Sequence, residues 1–232
     1  MINIQDSIAE MSVGNISIGS AYVGSQLVWE KSSPALPYDA QVEWICSDGN
    51  TYIDTGVKPS NTVRFEIVMD IPELTTTGIW PFGARTSSSA GKMCLFYNTN
   101  DKLWIWHFGN RSTSKTEAIT VGRYTFDNHS TSAARILNVK HGSTTTSYTN
   151  TGNTFTCANN IFLFAMNTGT GAVNRHADEK LVSAKFWSGS TLVRDYIPVR
   201  KDGVGYLWDK VTEALYGNAN SVGEFTYGND VT

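Results

Sequence analysis

An all-β fold, an antiparallel β-sandwich of jelly-roll type preceded by a short extended arm, is what this sequence predicts. Composition is the first of three observations behind that expectation. With 12% aromatic residues and 20 glycines against 17% charged residues, the chain suits strands and tight turns better than a helical bundle. Second, short apolar or alternating runs recur along the chain, separated by clusters of Gly, Asn, Asp and Ser, the pattern of many short strands joined by turns. Third, no run reads as a long amphipathic helix, which disfavours a parallel α/β architecture. The length of 232 residues accommodates one large sandwich or two small domains.

Residues 1–31 differ from the remainder. Apolar positions alternate in Val13-Gly-Asn-Ile-Ser-Ile18, and a second run follows at Ala21-Tyr-Val-Gly-Ser-Gln-Leu-Val-Trp29. With Gly19-Ser20 as the turn between them, this segment reads as a small hairpin or two extended arms. Residues 32–39 read as a linker, because Pro34 and Pro37 favour extended backbone. The sandwich is assigned to residues 40–232.

Within it, Val63, Phe65, Ile67, Met69 and Ile71 alternate with Arg64, Glu66 and Asp70, the period of a half-buried strand, which Pro72 ends. Lys92–Tyr97 and Lys102–Phe108 flank the polar turn Asn98-Thr-Asn-Asp101, a hairpin signal. Arg135–Lys140 turns at His141-Gly142 into Ser143–Tyr148, whose polarity suits a solvent-facing strand. The run Ile161-Phe-Leu-Phe-Ala-Met166 is apolar at every position, which predicts a central strand covered on both sides. Glu179–Trp187 and Thr191–Ile197 flank Ser188-Gly-Ser190 as a further hairpin.

A net charge of -3 and a pI near 5.8 leave no basic footprint for nucleic acid. No stretch approaches the roughly 20 apolar residues that cross a bilayer, so membrane insertion is not expected and the protein reads as soluble. The N-terminus lacks a basic n-region and an apolar h-region, so with Met1 as the start the usual export route is not expected. Cys46, Cys94 and Cys157 are odd in number and lack metal-ligand spacing; all three read as buried small apolar residues.

The chain also resembles known families. The segment Trp44-Ile-Cys-Ser-Asp-Gly-Asn-Thr-Tyr-Ile-Asp-Thr-Gly-Val57, followed by the strand at 63–71, resembles the opening of a laminin-G-like, concanavalin A-like domain. Lys180–Gly189, Leu192–Arg200, Gly203–Lys210 and Leu215–Asn218 resemble its close. The likeness covers about residues 42–218 and implies a lectin-type sandwich. The arm, Ile18-Gly-Ser-Ala-Tyr-Val-Gly-Ser-Gln-Leu-Val-Trp-Glu30, is similar to segments that precede a variable outer domain in virion proteins of phages and prophages of gut bacteria. That shorter likeness implies a structural, non-enzymatic head or tail appendage, made in the host cytoplasm and carried on the virion surface. In this reading Ile16, Ile18, Tyr22, Val23, Leu27 and Trp29 attach to other virion proteins, and a homotrimer follows by analogy with phage appendages. A free carbohydrate-binding bacterial surface protein, which should carry an export signal, is the rival reading.

Concanavalin A-like folds also host glycoside hydrolases, so the fold alone decides nothing about catalysis. Glu66 and Asp70 share a strand face but sit four positions apart, roughly 13 Å between Cα atoms. A retaining glycosidase holds its carboxyls about 5–5.5 Å apart, and the hydrolase reading is disfavoured. No Gly-x-Ser-x-Gly elbow is present, and His107, His129, His141 and His176 are scattered. No cofactor is expected. Calcium stays open, because Asp48, Asp54 and Asp178 lie in loops that could meet in space, although no EF-hand pattern is present.

Sugar recognition needs planar polar groups for hydroxyls and an aromatic face for the C–H side of the ring. Two segments read as loops with those groups: 80–91, with Trp80 and Arg85, and 167–178, with Asn167, Asn174, Arg175 and His176. The plainer alternative is a pair of solvated connections. Trp104, Trp106 and Phe108 share one strand face, opposite Leu103, Ile105 and His107. Exposed, they would form a sugar platform or subunit contact, but burial is expected for aromatic residues so clustered. Trp187 and Trp208 are assigned to the core as well, and Trp29 to the arm's docking surface.

Overall fold

The computed structural model describes residues 11–13, 16–18, 20–23, 25–30, 36–73, 79–98, 103–118, 120–151, 154–173 and 179–231. The chain divides into two compact units, Met1–Pro37 and Tyr38–Thr232. In the first unit lie β1 (Met11–Val13), β2 (Ile16–Ile18), β3 (Ser20–Val23) and β4 (Gln26–Glu30). β1 pairs antiparallel with β2, and β3 with β4. Two successive hairpins therefore replace the single turn expected at Gly19-Ser20. The sequence signal for them is the two-residue spacers Gly14-Asn15 and Gly24-Ser25, which suit tight hairpin turns.

The second unit starts with β5 (Ala40–Gln41), β6 (Ile45–Cys46), β7 (Ile53–Asp54), β8 (Val63–Ile71), β9 (Ile79–Ala84) and β10 (Lys92–Asn98). It continues with β11 (Leu103–Gly109), β12 (Arg111–Ala118), β13 (Gly122–Asp127), β14 (Ile136–His141), β15 (Thr144–Thr149) and β16 (Phe162–Leu163). The rest are β17 (Met166–Asn167), β18 (Ala172–Val173), β19 (Lys180–Ser188), β20 (Thr191–Lys201), β21 (Val204–Asp209), β22 (Ala214–Tyr216) and β23 (Thr226–Tyr227). No helix occurs among the described residues.

The smaller sheet runs β12-β11-β10-β9-β16-β7, with β17 and β18 attached; the larger runs β15-β14-β13-β8-β19-β20-β21-β22, with β5, β6 and β23 attached. Pairing is antiparallel except where β17 lies parallel to β9. The two sheets form a β-sandwich, as the sequence predicts. Phe65 of the larger sheet meets Phe82 and Trp106 of the smaller at ring-centroid distances of 4.7 and 5.5 Å. Phe126 likewise meets Trp104 at 5.1 Å. Each such buried side chain stabilises the fold by about 1.5–3 kcal/mol. β8 alternates buried and half-buried along its full length, and Trp104, Trp106 and Phe108 are core.

Four expectations need correction. Ile161–Met166 is buried throughout, but β16 ends at Leu163 because Phe164 adopts φ +65, a left-handed backbone that interrupts a strand. Trp187 and Trp208 are half-buried rather than core. Their neighbours Phe186, Leu207 and Asp209 are the buried ones, so strand alternation turns both tryptophans to the outer face. Cys46 is also half-buried, its thiol donating to the Ser47 carbonyl at 3.4 Å, while Cys94 and Cys157 are buried and free. Trp80 lies within β9 rather than in a loop.

Candidate functional site

The two segments that read as sugar-binding loops converge at one end of the smaller sheet. β17 runs beside β9 with Asn167 opposite Ala84, and the Arg85 N–H donates to the Asn167 carbonyl at 2.9 Å. The side chain of Asn167 serves the scaffold: Nδ2 donates to the Asn160 carbonyl at 3.0 Å, and Oδ1 accepts the Gly169 N–H at 2.9 Å. Trp80 stacks on Phe96 at 4.3 Å, and Phe96 on His107 at 5.3 Å. Arg85 is half-buried. Asn174, Arg175 and His176 lie outside the described residues, as does Asp178.

A concavity lies on the outer face of the larger sheet. It is a groove of about 390 Å³ lined by Glu66, Val68, Thr125, Asp127, Ser130, Asn138, Lys140 and Thr145, within the size range of small-ligand sites. Period-two alternation puts these side chains outside, because Phe65, Ile67, Tyr124, Phe126, Leu137 and Val139 take the core. Antiparallel register then sets seven of them, with Ser147 extending one row, in two transverse rows. Glu66, Asp127, Asn138 and Ser147 are successive cross-strand partners, and so are Val68, Thr125, Lys140 and Thr145.

A directional hydrogen-bond chain fixes the first row. Ser147 Oγ donates to Asn138 Oδ1 at 2.6 Å, Asn138 Nδ2 donates to Ser130 Oγ at 3.2 Å, and Ser130 Oγ donates to Asp127 Oδ2. Asp127 Oδ1 also accepts the N–H groups of His129 and Ser130 at 2.6 and 3.1 Å. Ser130 belongs to the 128–135 connection, which forms a wall of the groove. Arg64 holds that connection, donating from Nη1 to the carbonyls of Asn128 and Thr131 at 2.8 and 2.9 Å.

An aromatic pair stands beside this wall. His129 lies between the two lining residues Asp127 and Ser130 in sequence, and its ring stacks on Trp187 at 3.8 Å. Trp187 is opposite Arg64 in the β8/β19 register. Loop composition did not point to this surface. The signal that could have found Trp187 is the alternation of Ala184 and Phe186 inward with Lys185 and Trp187 outward.

Glu66 and Asp70 share the outer face of β8, four positions apart as expected. Asp70, the expected same-strand companion of Glu66, is held by Arg123 through two bonds of 2.7 Å. The carboxylate nearest Glu66 in register is instead Asp127, directly opposite on β13, a relation invisible within either strand. Asp127 accepts three bonds from local donors, two at Oδ1 and one at Oδ2, as a turn cap does. Asp48 caps its own turn through the Asn50 and Thr51 N–H groups at 2.8 and 3.1 Å. Asp54 accepts from Gly56 N–H at 2.9 Å and from Asn160 Nδ2 at 3.3 Å. Among the described residues no group of three or more His, Cys, Asp and Glu gathers in a way that could hold a metal ion.

Two ionisable groups on the outer face of the smaller sheet are strongly perturbed. Burial pushes the Cys94 thiol up to about 12, which keeps it protonated and a poor nucleophile. Its cross-strand partner His107 is pushed down to about 4 by burial and by Lys92 and Arg85. The pair therefore stays neutral rather than forming a thiolate–imidazolium couple.

No protein-family model matches this chain, and no curated protein matches it.

Proposed function

We propose that this protein is a non-enzymatic structural component of a phage particle, whose sandwich binds host-surface or mucus glycans through the groove on its larger sheet. The observation that carries the binding half is the hydrogen-bond chain Ser147–Asn138–Ser130–Asp127. It orients amide, hydroxyl and carboxylate groups before any ligand arrives, which lowers the ordering cost of binding. Val68 and the threonine methyl groups supply apolar surface for the C–H faces of sugar rings, and the Trp187–His129 pair supplies an aromatic face at one side.

The particle half rests on the resemblance of the arm and of the sandwich, and on the physics of small hairpins. Two-stranded ribbons as short as β1–β2 and β3–β4 are marginal in water. Ile16, Ile18, Tyr22, Val23, Leu27 and Trp29 would therefore bury against other virion proteins, in a homotrimer. Glycoside hydrolysis is the weaker reading, because Asp127, the carboxylate facing Glu66, is held in place by three hydrogen bonds within its turn.

A glycan array probed with the full chain, with and without calcium and with released sugars monitored, tests the binding half. Selective retention without product, lost in Asn138→Ala and Trp187→Ala, is the expected result. Retention by no glycan would overturn it, and product release would convert it to the hydrolase reading. Deleting residues 1–31 should abolish incorporation into particles; retained incorporation would remove the attachment role.

A further inference from the structure

The groove has a direction. Its two rows cross four adjacent strands, β8, β13, β14 and β15, in continuous cross-strand register. Neighbouring strands lie about 4.7–4.9 Å apart, so the rows are roughly 14 Å long, and a two-residue offset along the strands separates them by about 7 Å. At one end the order of the sheet stops at β15, so the track runs out at the sheet edge past exposed Thr145. At the other end the first row continues from Glu66 to Lys185 and then Asp195 in register.

The rails differ in chemistry. The first, Glu66–Asp127–Asn138–Ser147, is rich in hydrogen-bond acceptors. The second, Val68–Thr125–Lys140–Thr145, combines apolar surface with hydroxyl and ammonium donors. Such a track matches a chain of sugar rings whose hydroxyl edge faces one side and whose C–H surface faces the other. The lining carries two carboxylates, Glu66 and Asp127, against one ammonium, Lys140. A uronate or sulfate would therefore meet like charge, which is unfavourable.

We infer that the groove takes an interior stretch of an uncharged linear glycan, several rings long and laid across the strands, in preference to a single terminal sugar. This inference rests on the reading of the groove as the glycan site. It adds chain length, polarity and orientation of the ligand to that reading.

Calorimetric titration of the full chain with gluco-, manno-, galacto- and N-acetylglucosamine oligosaccharides of one to six sugars tests it, with hexamers blocked at both ends and with alginate and heparin oligosaccharides as charged arms. Affinity for the bound series is expected to rise at least tenfold from one sugar to three and to survive blocking. Thr145→Tyr, an exposed change at the sheet edge, should lower affinity for the hexamer several-fold. Equal affinity for one sugar and six, or loss on blocking, would overturn the inference and leave a terminal-sugar site. Binding confined to the charged arms would overturn the choice of an uncharged ligand. Binding to none of the probes would overturn the glycan reading together with the inference.

Discussion

The side-chain carbonyl of Asn128 accepts the backbone N–H of Phe65 at 2.6 Å, joining the wall of the groove to a fully buried core residue of β8. The same side chain donates from Nδ2 to the Ala134 carbonyl at 2.8 Å, and Asn128 is fully buried. One amide thus closes the 128–135 connection over the sheet. Asn128→Ala leaves a buried N–H and a buried carbonyl without their partner, a loss of roughly 2–4 kcal/mol. Urea unfolding should show that decrease, together with weaker glycan retention; a change under 0.5 kcal/mol would contradict this role.

His107 makes stability depend on pH. Its folded value of about 4 lies below the ordinary 6.5, so below pH 6.5 the unfolded chain binds a proton that the folded one resists. The contribution is complete above pH 6.5 and declines as pH falls from about 6.5 to 4. His107→Phe, which keeps a ring against Phe96, should flatten that part of the profile by up to roughly 3 kcal/mol relative to the unchanged protein. Parallel slopes for the two proteins between pH 6.5 and 4.5 would show that His107 is not the titrating group.

Gly83 permits β9 and β10 to approach. A Cβ there would lie 2.2 Å from Cys94 Cβ and 2.9 Å from Cys94 Cα, its cross-strand neighbour. Gly83→Ala should therefore cost about 1–3 kcal/mol or more. In a double-mutant cycle, Cys94→Gly should reduce that cost, because it removes the nearer atom. Strict additivity would place the origin of the effect elsewhere.

Arg194 supports a buried carboxylate at the other side of the larger sheet. Its Nε lies 3.6 Å from Asp209 Oδ2 and donates to the Thr55 carbonyl at 3.0 Å. Asp209 is fully buried but also accepts from Asp195 N–H, Val211 N–H and Thr212 Oγ1, which moderates the loss. Arg194→Met should reduce unfolding free energy by roughly 1.5–3 kcal/mol, measured by denaturant titration at neutral pH. An unchanged midpoint would mean that the remaining donors suffice.

By itself the sequence determined several strands, β8, β10, β11, β14 and β20 among them, and which side chains share a face along β8 and β11, whereas β9, β12 and β13 were not announced by local patterning. The alternation from Val63 to Ile71, the antiparallel pairing of β10 with β11 and the buried Trp104, Trp106 and Phe108 all follow from local period-two patterning and turn chemistry. Pairing across the sheet is a different kind of information. Nothing near Glu66 in the chain announces that Asp127 faces it, or that Asn138 follows Asp127 and Ser147 follows Asn138, because register is set by long-range packing of the core-facing residues. The face of a side chain is also lost locally wherever a strand carries an irregularity, as β19 does between Leu181 and Ser183. The sequence could likewise nominate Arg85 and Asn167, but only the parallel contact of β17 with β9 brought them together. The groove belongs to tertiary structure for the same reason: its two rows exist only once four strands, each legible alone, are aligned by the core beneath them.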